Sequence, residues 1–288
     1  MNPALVARLL ASTAALAVSV YAPPLHAQSP QAPTVAAGSI AVTRQGATTV
    51  ITQGTDRGII DWRSFSIGPQ ESVRFDQPGR SSVTLNRVTS SEISRIDGNL
   101  SANGQVWLSN PNGVMIGPGG QVNVGGLLAT TGRIDVSEFL KSGRAAIDQI
   151  GKDAAIVNSG AITVGEGGYA ALAAAAIRNE GVIAARSGSV ALGAGKAVTV
   201  DFAGDKLITF QVTQPLEQAP ADADAAIVSN GTIAAQGGTV LMSARAAKGV
   251  MDNVINLKGV VVSNSVKVDG GTVVFGDGGA VQVGAKID

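Results

Sequence analysis

One stretch, from Phe75 to Thr131, constrains the fold more than any other part of the chain. Short apolar pairs and triplets alternate there with Asn, Gly and Ser, at intervals too short for helices of ordinary length. Many of the interrupting positions carry Asn or Gly, the residues that most readily accept positive φ in turns. The stretch is therefore predicted to fold as short strands joined by tight turns.

The second half of the chain contains an internal repeat. Blocks that start and end with Ile begin at Ile156, Ile177 and Ile227, and each is followed by a Gly-rich turn and a further strand. A period of roughly 20 residues is typical of solenoids, and the LxxLxLxxN pattern of leucine-rich repeats is absent from the sequence. We predict an all-β fold: a right-handed parallel β-helix (β-solenoid) with an N-terminal cap, extra-helical loops or hairpins and one or two short helices. It would have on the order of 12 coils and be roughly 60 Å long.

Three segments interrupt the strand pattern. Residues 137–149 are predicted to form a short helix or an extra-helical loop, and residues 244–254 have a more helical composition, although Gly249 weakens that prediction. Residues 209–226 are rich in Pro, Asp and Ala and are predicted to loop out between coils. The repeat copies on either side of them start 50 residues apart, which also indicates an insertion.

The N-terminus is typical of a secretory signal. Arg8 precedes an apolar run from Leu9 to Val20, and small-residue spacing ends at Ala27. We predict a signal peptide at 1–27 with cleavage after Ala27, and an N-terminal membrane anchor is the alternative. The remaining chain divides into a flexible leader at 28–37, a main β-helix domain at 38–200, and continuing coils at 201–288 with a looped insertion near 211–226.

The composition narrows the possible functions. Basic and acidic residues number 21 each, so the chain lacks the basic footprint of a nucleic-acid binder. There is no Cys, and the one His lies in the predicted signal peptide. Most His-based catalysis and most transition-metal sites are therefore excluded from the mature protein, and no cofactor is predicted. The aromatic side chains of Trp62, Phe65 and Phe75 are predicted to be buried.

The segment NPNG, residues 110–113, is predicted to be a sharp β-turn. Pro at the second position sets φ, Asn at the first can bond the backbone two residues further on, and Gly at the fourth accepts positive φ. The four residues thus have a full structural explanation, and they do not by themselves indicate recognition of a partner.

Several blocks in the same order resemble the secretion domain of filamentous-haemagglutinin-like exoproteins, the two-partner secretion (TPS) domain. The blocks are GIIDWRSFSI from Gly58, LNRV from Leu85, IDGNL from Ile96, ANGQVWL from Ala102, NPNG from Asn110 and GGLLATT from Gly125. The resemblance is strong over residues 38–195 and weaker beyond them. A second turn motif of some family members, NPNL, is absent here.

The resemblance implies a secreted or cell-surface protein that crosses the periplasm and outer membrane of a Gram-negative bacterium. Its partner would be an outer-membrane transporter of the Omp85 (TpsB) class, whose periplasmic modules would recognise the domain. Host or neighbouring-cell surfaces would be a further partner if the exported protein acts in adhesion. The residues implied in recognition and secretion are Asn110, Pro111, Asn112, Gly113, Asn86 and Arg87.

Two other functions are compatible with a β-helix. A polysaccharide lyase or hydrolase would need carboxylates that converge on one face. The candidates, which do not follow the register of the repeat, are Asp56, Asp61, Glu71, Asp76, Glu92 and Asp97. This spacing favours solvated turn and edge charges, so we predict that the protein is not an enzyme. A purely structural secreted solenoid is the remaining alternative.

Overall fold

The computed structural model describes residues 29–151, 153–201, 209–220, 224–251 and 254–263, and the backbone of four further strands between residues 266 and 287. The predicted signal peptide, its cleavage after Ala27 and the alternative anchor lie outside these residues. In the part of the chain that is described, no helix is both long and apolar enough to cross a membrane.

The described elements are short strands and one helix, as the turn spacing predicts. In chain order they are β1 (Thr34–Ala37), β2 (Ile40–Gln45), β3 (Thr48–Gln53), β4 (Arg57–Trp62), β5 (Ser72–Asp76), β6 (Val83–Val88), β7 (Ser94–Ile96), β8 (Asn99–Ala102), β9 (Gln105–Ser109), β10 (Val114–Ile116), β11 (Gln121–Val124), β12 (Gly126–Thr130), β13 (Arg133–Ile134), α1 (Val136–Ser142), β14 (Ala145–Asp148), β15 (Ala155–Asn158), β16 (Ala161–Val164), β17 (Tyr169–Ala174), β18 (Ala176–Asn179), β19 (Val182–Ala185), β20 (Ser189–Ala194), β21 (Ala197–Asp201), β22 (Thr209–Gln214), β23 (Ile227–Ser229), β24 (Thr232–Ala234), β25 (Thr239–Ala244), β26 (Ile255–Leu257), β27 (Val260–Val262), β28 (Val266–Asp269), β29 (Thr272–Phe275), β30 (Ala280–Gln282) and β31 (Lys286–Ile287).

Three sheets form the faces of a β-helix, and a fourth sheet lies beside them. Face A has the order β1-β4-β6-β9-β12-β17-β20-β25-β29-β28, face B β31-β26-β23-β18-β15-β10-β7, and face C β2-β3-β5-β8-β11-β16-β19-β24-β27-β30. The fourth, the side sheet, is β13-β14-β21-β22 and is antiparallel. A coil runs through face B, then face C, then face A, as β10, β11 and β12 do. The chain therefore returns to face B through an A-to-B corner.

The sequence repeat sets the register of face B. Ile156 pairs in parallel with Ile177, which pairs in parallel with Ile227, and all three side chains are fully buried. Two residues further on, Nδ2 of Asn158 donates a hydrogen bond of 2.8 Å to Oδ1 of Asn179. Equivalent residues thus stack from coil to coil, and the predicted parallel β-helix is confirmed.

The core fills the space between the three faces and continues outward from face A. Trp62, Phe65 and Phe75 are at most 1% exposed, as predicted. On the outer side of face A, the ring of Phe139 in α1 packs against Trp107, with 5.1 Å between ring centroids. Helix α1 and the side sheet therefore bury a second surface of this face.

Residues 137–149 contribute both a helix and a strand. Helix α1 begins after Asp135, whose side chain accepts a hydrogen bond of 2.7 Å from the backbone N of Glu138. It ends at Gly143, which has a φ of 74°. Strand β14 follows and pairs with both β13 and β21, so this excursion from the coil supplies an inner strand of the side sheet.

Two other segments differ from the sequence prediction. The segment predicted to loop out at 209–226 begins with β22, which leaves the coils and pairs antiparallel with β21 in the side sheet. The described part of 244–254 is not helical: it contains the end of β25, a bridge between Ala246 and Leu216, and a turn at Gly249 with a φ of 80°. The composition favours a helix here, but Ala246 pairs with the distant Leu216 and Gly249 has a positive φ. Both features are incompatible with a continuous helix.

In the described part of the chain, the number of coils is smaller than predicted. Among the described residues, face C has eight consecutive parallel strands, from β3 to β27, and face A has seven, from β4 to β25. Eight strands span about 34 Å at the usual spacing, so the estimate of about 12 coils and 60 Å is wrong for this part of the chain. The difference arises because α1, the side sheet and the antiparallel strands at both ends use residues that a simple period assigns to coils.

The predicted flexible leader, residues 28–37, packs against the first coil from Ser29 onward. Ser29 is buried, and its hydroxyl donates a hydrogen bond to the carboxylate of Glu71. Gln31 forms a bridge with Ser64, and β1 pairs antiparallel with β4. These contacts cover the first edge of face A, where backbone groups would otherwise lack partners.

Candidate functional site

The NPNG segment forms an A-to-B corner between β9 and β10. The backbone N of Gly113 donates to the carbonyl of Asn110 at 3.1 Å, and the backbone N of Asn112 donates to Oδ1 of Asn110 at 3.0 Å. Gly113 has a φ of +123°, and a Cβ there would lie 3.1 Å from the carbonyl oxygen of Ala155. The predicted turn is present, and both its backbone angle and its close packing require Gly at the fourth position.

Asn110 connects this corner to the coils on either side. Its side chain is fully buried, and Nδ2 donates hydrogen bonds of 3.0 Å to the carbonyl of Glu92 and to the hydroxyl of Ser94 in the preceding coil. Its backbone N donates to the carbonyl of Thr130 in the following coil at 3.0 Å. Asn110 therefore stabilises the corner and does not present a side chain to solvent.

Pro111 and Asn112 form the exposed part of the corner. Pro111 is exposed, and Asn112 is partly buried because its Nδ2 donates a hydrogen bond of 2.7 Å to the carbonyl of Ser90. Nδ2 of Asn112 also lies 3.0 Å from Oδ1 of Asn110. The turn is thus fixed to the segment that precedes β7, and its tip remains accessible.

Asn86 and Arg87 are neighbours on β6 with opposite orientations. Asn86 is fully buried; its Oδ1 accepts a hydrogen bond of 2.9 Å from Trp62, and its Nδ2 donates to the carbonyl of Trp107 at 3.2 Å. The guanidinium of Arg87 donates two hydrogen bonds, of 2.6 and 2.8 Å, to the carboxylate of Asp61 on β4. About a third of each charged side chain in this pair is exposed.

A groove along the A-to-B corner brings part of the predicted site together. It has a volume of about 610 Å³, and its lining includes Asp61, Arg87, Ser90, Pro111, Asn112 and Arg133. Of the six predicted residues, Arg87, Pro111 and Asn112 therefore share one surface. Asn86 and Asn110 lie beneath it, and Gly113 is buried in the turn.

Sequence reasoning missed two contributors to this groove. Asp61 belongs to the block GIIDWRSFSI and is a catalytic candidate by sequence, but its register partner on face A is Arg87. The blocks GIIDW and TLNRV occupy the same position in successive coils, but their sequences share little that would reveal this stacking. Arg133 enters the groove through β13 of the side sheet, and no local pattern placed it there.

The carboxylates considered for catalysis do not converge. Four of the six lie beside arginines, in the ion pairs Asp61–Arg87, Glu71–Arg44, Asp76–Arg74 and Asp97–Arg95. The described residues contain no group of three or more His, Cys, Asp or Glu side chains that could hold a metal ion. These pairs support the interpretation of the carboxylates as edge and turn charges.

Comparisons with known proteins agree with this architecture. A family model described as the TPS secretion domain matches residues 26–287. The chain is similar to the crystal structure of the HMW1 secretion domain from Haemophilus influenzae, with 33% identity and a TM-score of 0.67, over 83% of this chain and 60% of that one.

Two curated relatives, both heme/hemopexin-binding proteins of Haemophilus influenzae, match shorter segments. One is 53% identical over 81 residues, which are 28% of this chain and 9% of the relative. The other is 48% identical over 102 residues, which are 35% of this chain and 11% of the relative. The matched part therefore spans about a tenth of the length of these relatives.

The family model covers nearly the whole chain, and the β-helix agrees with it. TPS domains are recognised by TpsB transporters during two-partner secretion, and this membership points to a non-enzymatic exported protein. The chain belongs to the TPS secretion domain family and is a two-partner secretion exoprotein, secreted or held at the surface of a Gram-negative cell.

Proposed function

We propose that the NPNG corner and its groove are the surface by which the periplasmic modules of an Omp85-class TpsB transporter recognise this chain for export. The observation that carries the proposal is the shared position of Arg87, Pro111 and Asn112, which line one open groove. An exposed proline, an amide and a paired guanidinium offer shape and directional hydrogen bonds without a large net charge. A groove of this kind suits a protein partner.

The corner can form before the rest of the domain folds. The hydrogen bonds that fix it connect residues only 16 and 22 positions apart, Asn110 to Ser94 and Asn112 to Ser90. These hydrogen bonds join the corner to the preceding coil, so they can form before the following coils are added. A partly folded chain in the periplasm could therefore present the groove to a transporter.

Folding after export would follow from the same architecture. Each parallel strand pairs with strands of the coils before and after it, so folding can spread from one coil to the next as the chain emerges. The growing β-helix would oppose return of the chain through the pore. We infer that coil-by-coil folding helps to make export unidirectional.

The first test is co-expression of the protein with and without a neighbouring TpsB transporter, with the mature protein measured in the culture medium. We expect its appearance in the medium to depend on the transporter and to be lost when residues 38–131 are deleted. Normal secretion of the deleted protein would overturn the proposal.

A second test separates binding from folding. Purified periplasmic modules should bind the wild type, and Pro111→Ala and Asn112→Ala should weaken this binding. Asn123→Ala is a matched control because Asn123 is an exposed asparagine on β11, away from the groove. Equal binding by all four proteins would exclude this groove as the recognition surface while leaving export itself testable by the first experiment.

Adhesion after export is a second proposal. Val182, Thr232 and Val260 stand in register on face C, and the two valines are 43% and 41% exposed. Such a flat, uncharged row could contact a host or neighbouring cell. Purified protein should then bind cells, and Val182→Lys should reduce binding while leaving secretion intact.

A further inference from the structure

The sequence contains three Asn-Gly dipeptides, and one of them lies in the NPNG corner. They are Asn103-Gly104, Asn112-Gly113 and Asn230-Gly231. Asn followed by Gly is chemically labile because Gly has no side chain to hinder attack of its backbone nitrogen on the Asn side chain. The proposed export role of this protein does not account for these sites.

The reaction needs only the chain and water. The backbone nitrogen of Gly attacks Cγ of Asn, the bond from Cγ to the side-chain nitrogen breaks, and ammonia leaves. Water then opens the resulting five-membered succinimide and gives aspartate or isoaspartate. Both the Gly N–H and the Asn amide must be free to move for the ring to close.

At Asn112 the fold restrains both reacting groups. The N–H of Gly113 is held by the carbonyl of Asn110 at 3.1 Å. The amide of Asn112 donates to the carbonyl of Ser90 at 2.7 Å and to Oδ1 of Asn110 at 3.0 Å. The nitrogen and the carbon that would join are therefore each held by another partner.

Asn103 is held in the same way by Gln77. Asn103 accepts a hydrogen bond of 2.8 Å from the backbone N of Gln77 and donates one of 2.7 Å to its carbonyl. The N–H of Gly104 donates to Oε1 of Gln77 at 3.1 Å. Gln77 is buried, whereas Asn103 itself is exposed at the surface.

Asn230 has the fewest side-chain hydrogen bonds of the three among the described residues. Its side chain is exposed and donates a hydrogen bond of 2.8 Å to Glu180, while the N–H of Gly231 donates to the carbonyl of Asn179 at 2.9 Å. The backbone restraint is present here, but the side chain has one exposed partner. Among the three sites in the folded protein, Asn230 should therefore react fastest.

We propose that Asn112-Gly113 is a deamidation site that is reactive in the unfolded chain, is closed by folding, and blocks the NPNG corner once it has reacted. Deamidation replaces the donor Nδ2 by a carboxylate oxygen, which then faces two acceptors, the carbonyl of Ser90 and Oδ1 of Asn110. Isoaspartate also adds a methylene to the backbone of a tight turn. Either product opposes formation of the corner.

Deamidation at Asn112 is independent of the proposed function, whereas the effect of deamidation on secretion rests on that function. A chain in which the corner has not yet formed would gradually acquire a modification that prevents its formation. The time that a chain spends before this step therefore limits its competence for export, and the hydrogen bonds of the formed corner protect Asn112 from then on.

The rate test compares the mature chain, residues 28–288, in native buffer and in concentrated urea at mildly alkaline pH. Peptide mass spectrometry follows all three Asn-Gly sites. We expect similar conversion at the three sites in urea, and conversion of Asn112 that is at least about tenfold slower in the folded protein, because only locally opened molecules can react. Equal rates for Asn112 in both conditions would overturn the protection by the fold.

The consequence is tested with Asn112→Asp, which reproduces one product, and with Asn123→Asp as the matched control. We expect Asn112→Asp to have a lower unfolding midpoint and reduced secretion, and the control to resemble the wild type. An unchanged midpoint for Asn112→Asp would overturn blocking of the corner. If secretion nevertheless falls at an unchanged midpoint, the defect lies in transporter recognition, so failure of this inference is distinguishable from failure of the proposed function.

Discussion

The indole of Trp62 donates a hydrogen bond of 2.9 Å to Oδ1 of Asn86, across two adjacent strands of face A. Both residues are fully buried. Asn86 belongs to the conspicuous block LNRV, but its polar atoms are used inside the coil. Its neighbour Arg87 is the residue of this block that lies in the groove. Substitutions at the two positions should therefore have different effects on stability and on secretion.

Replacement of Asn86 by Ala should destabilise the folded protein. The change leaves the buried N–H of Trp62 without its acceptor, and each such group costs about 1–3 kcal/mol. Chemical denaturation should show a lower free energy of unfolding, whereas exposed Asn123→Ala should stay within about 0.5 kcal/mol of the wild type. Equal stability of the two variants would show that Asn86 is not a structural residue.

Asn110→Ala and Pro111→Ala should separate folding from recognition within one turn. Asn110→Ala removes buried hydrogen bonds to Glu92 and Ser94, and we expect it to lower stability by about 1–3 kcal/mol. Pro111→Ala affects an exposed residue and should cost at most about 1 kcal/mol. Unfolding midpoints and secreted amounts should be measured together. Reduced secretion of Pro111→Ala at near-normal stability is the result expected from recognition.

The pair of Asp61 and Arg87 permits a charge-exchange test. Each single variant, Asp61→Arg or Arg87→Asp, places like charges together and should lower stability by roughly 1 kcal/mol, since the pair is partly exposed. The double exchange should restore most of the stability. If the transporter requires the guanidinium at position 87, secretion of the double variant stays low. Full secretion of the double variant would argue against a specific role for Arg87.

Gly193→Ala should loosen the side sheet from face A. A Cβ at Gly193 would lie 1.9 Å from Cε1 of Phe210, so the ring or the backbone must move. Overpacking of this kind typically costs about 1–3 kcal/mol. Gly151→Ala is the matched control, because a Cβ there meets no atom within 4 Å. Hydrogen exchange should show faster opening of β21 and β22 in Gly193→Ala alone.

Tyr169 should make stability depend on alkaline pH. Its hydroxyl accepts a hydrogen bond from Trp107 and donates one to Gln105, and burial raises the pKa of the phenol above its ordinary value, although the bond from Trp107 acts to lower it. In the unfolded chain the phenol ionises near pH 10. The stabilisation is therefore complete below about pH 10 and declines as the pH rises further.

This prediction has a direct optical measurement. The sequence has two tyrosines, and the other, Tyr21, lies in the predicted signal peptide, so residues 28–288 contain Tyr169 alone. Phenolate absorbance should rise only together with the loss of circular dichroism. The part of the decline in stability above pH 10 that arises from ionisation of Tyr169 should be absent in Tyr169→Phe. Phenolate absorbance at unchanged circular dichroism would contradict a buried, protonated Tyr169.

The sequence by itself determined the fold class, the family and the stacking of the repeat. The Ile positions at 156, 177 and 227 and the turn residues of NPNG are local signals, since short strands and tight turns depend on neighbouring residues. The register seen between Ile156 and Ile177 follows directly from their spacing.

Only the tertiary structure decided which residues meet at the groove. Arg133 reaches it because the segment from β13 to β14 leaves the coil and joins the side sheet, whose strands β14 and β21 are far apart in sequence. The same excursions reduce the number of coils in the described residues, and the pairing of β1 with β4 places part of the expected leader against the first coil. Such contacts depend on how many residues leave each coil and where the chain rejoins it, and a local period carries no information about either.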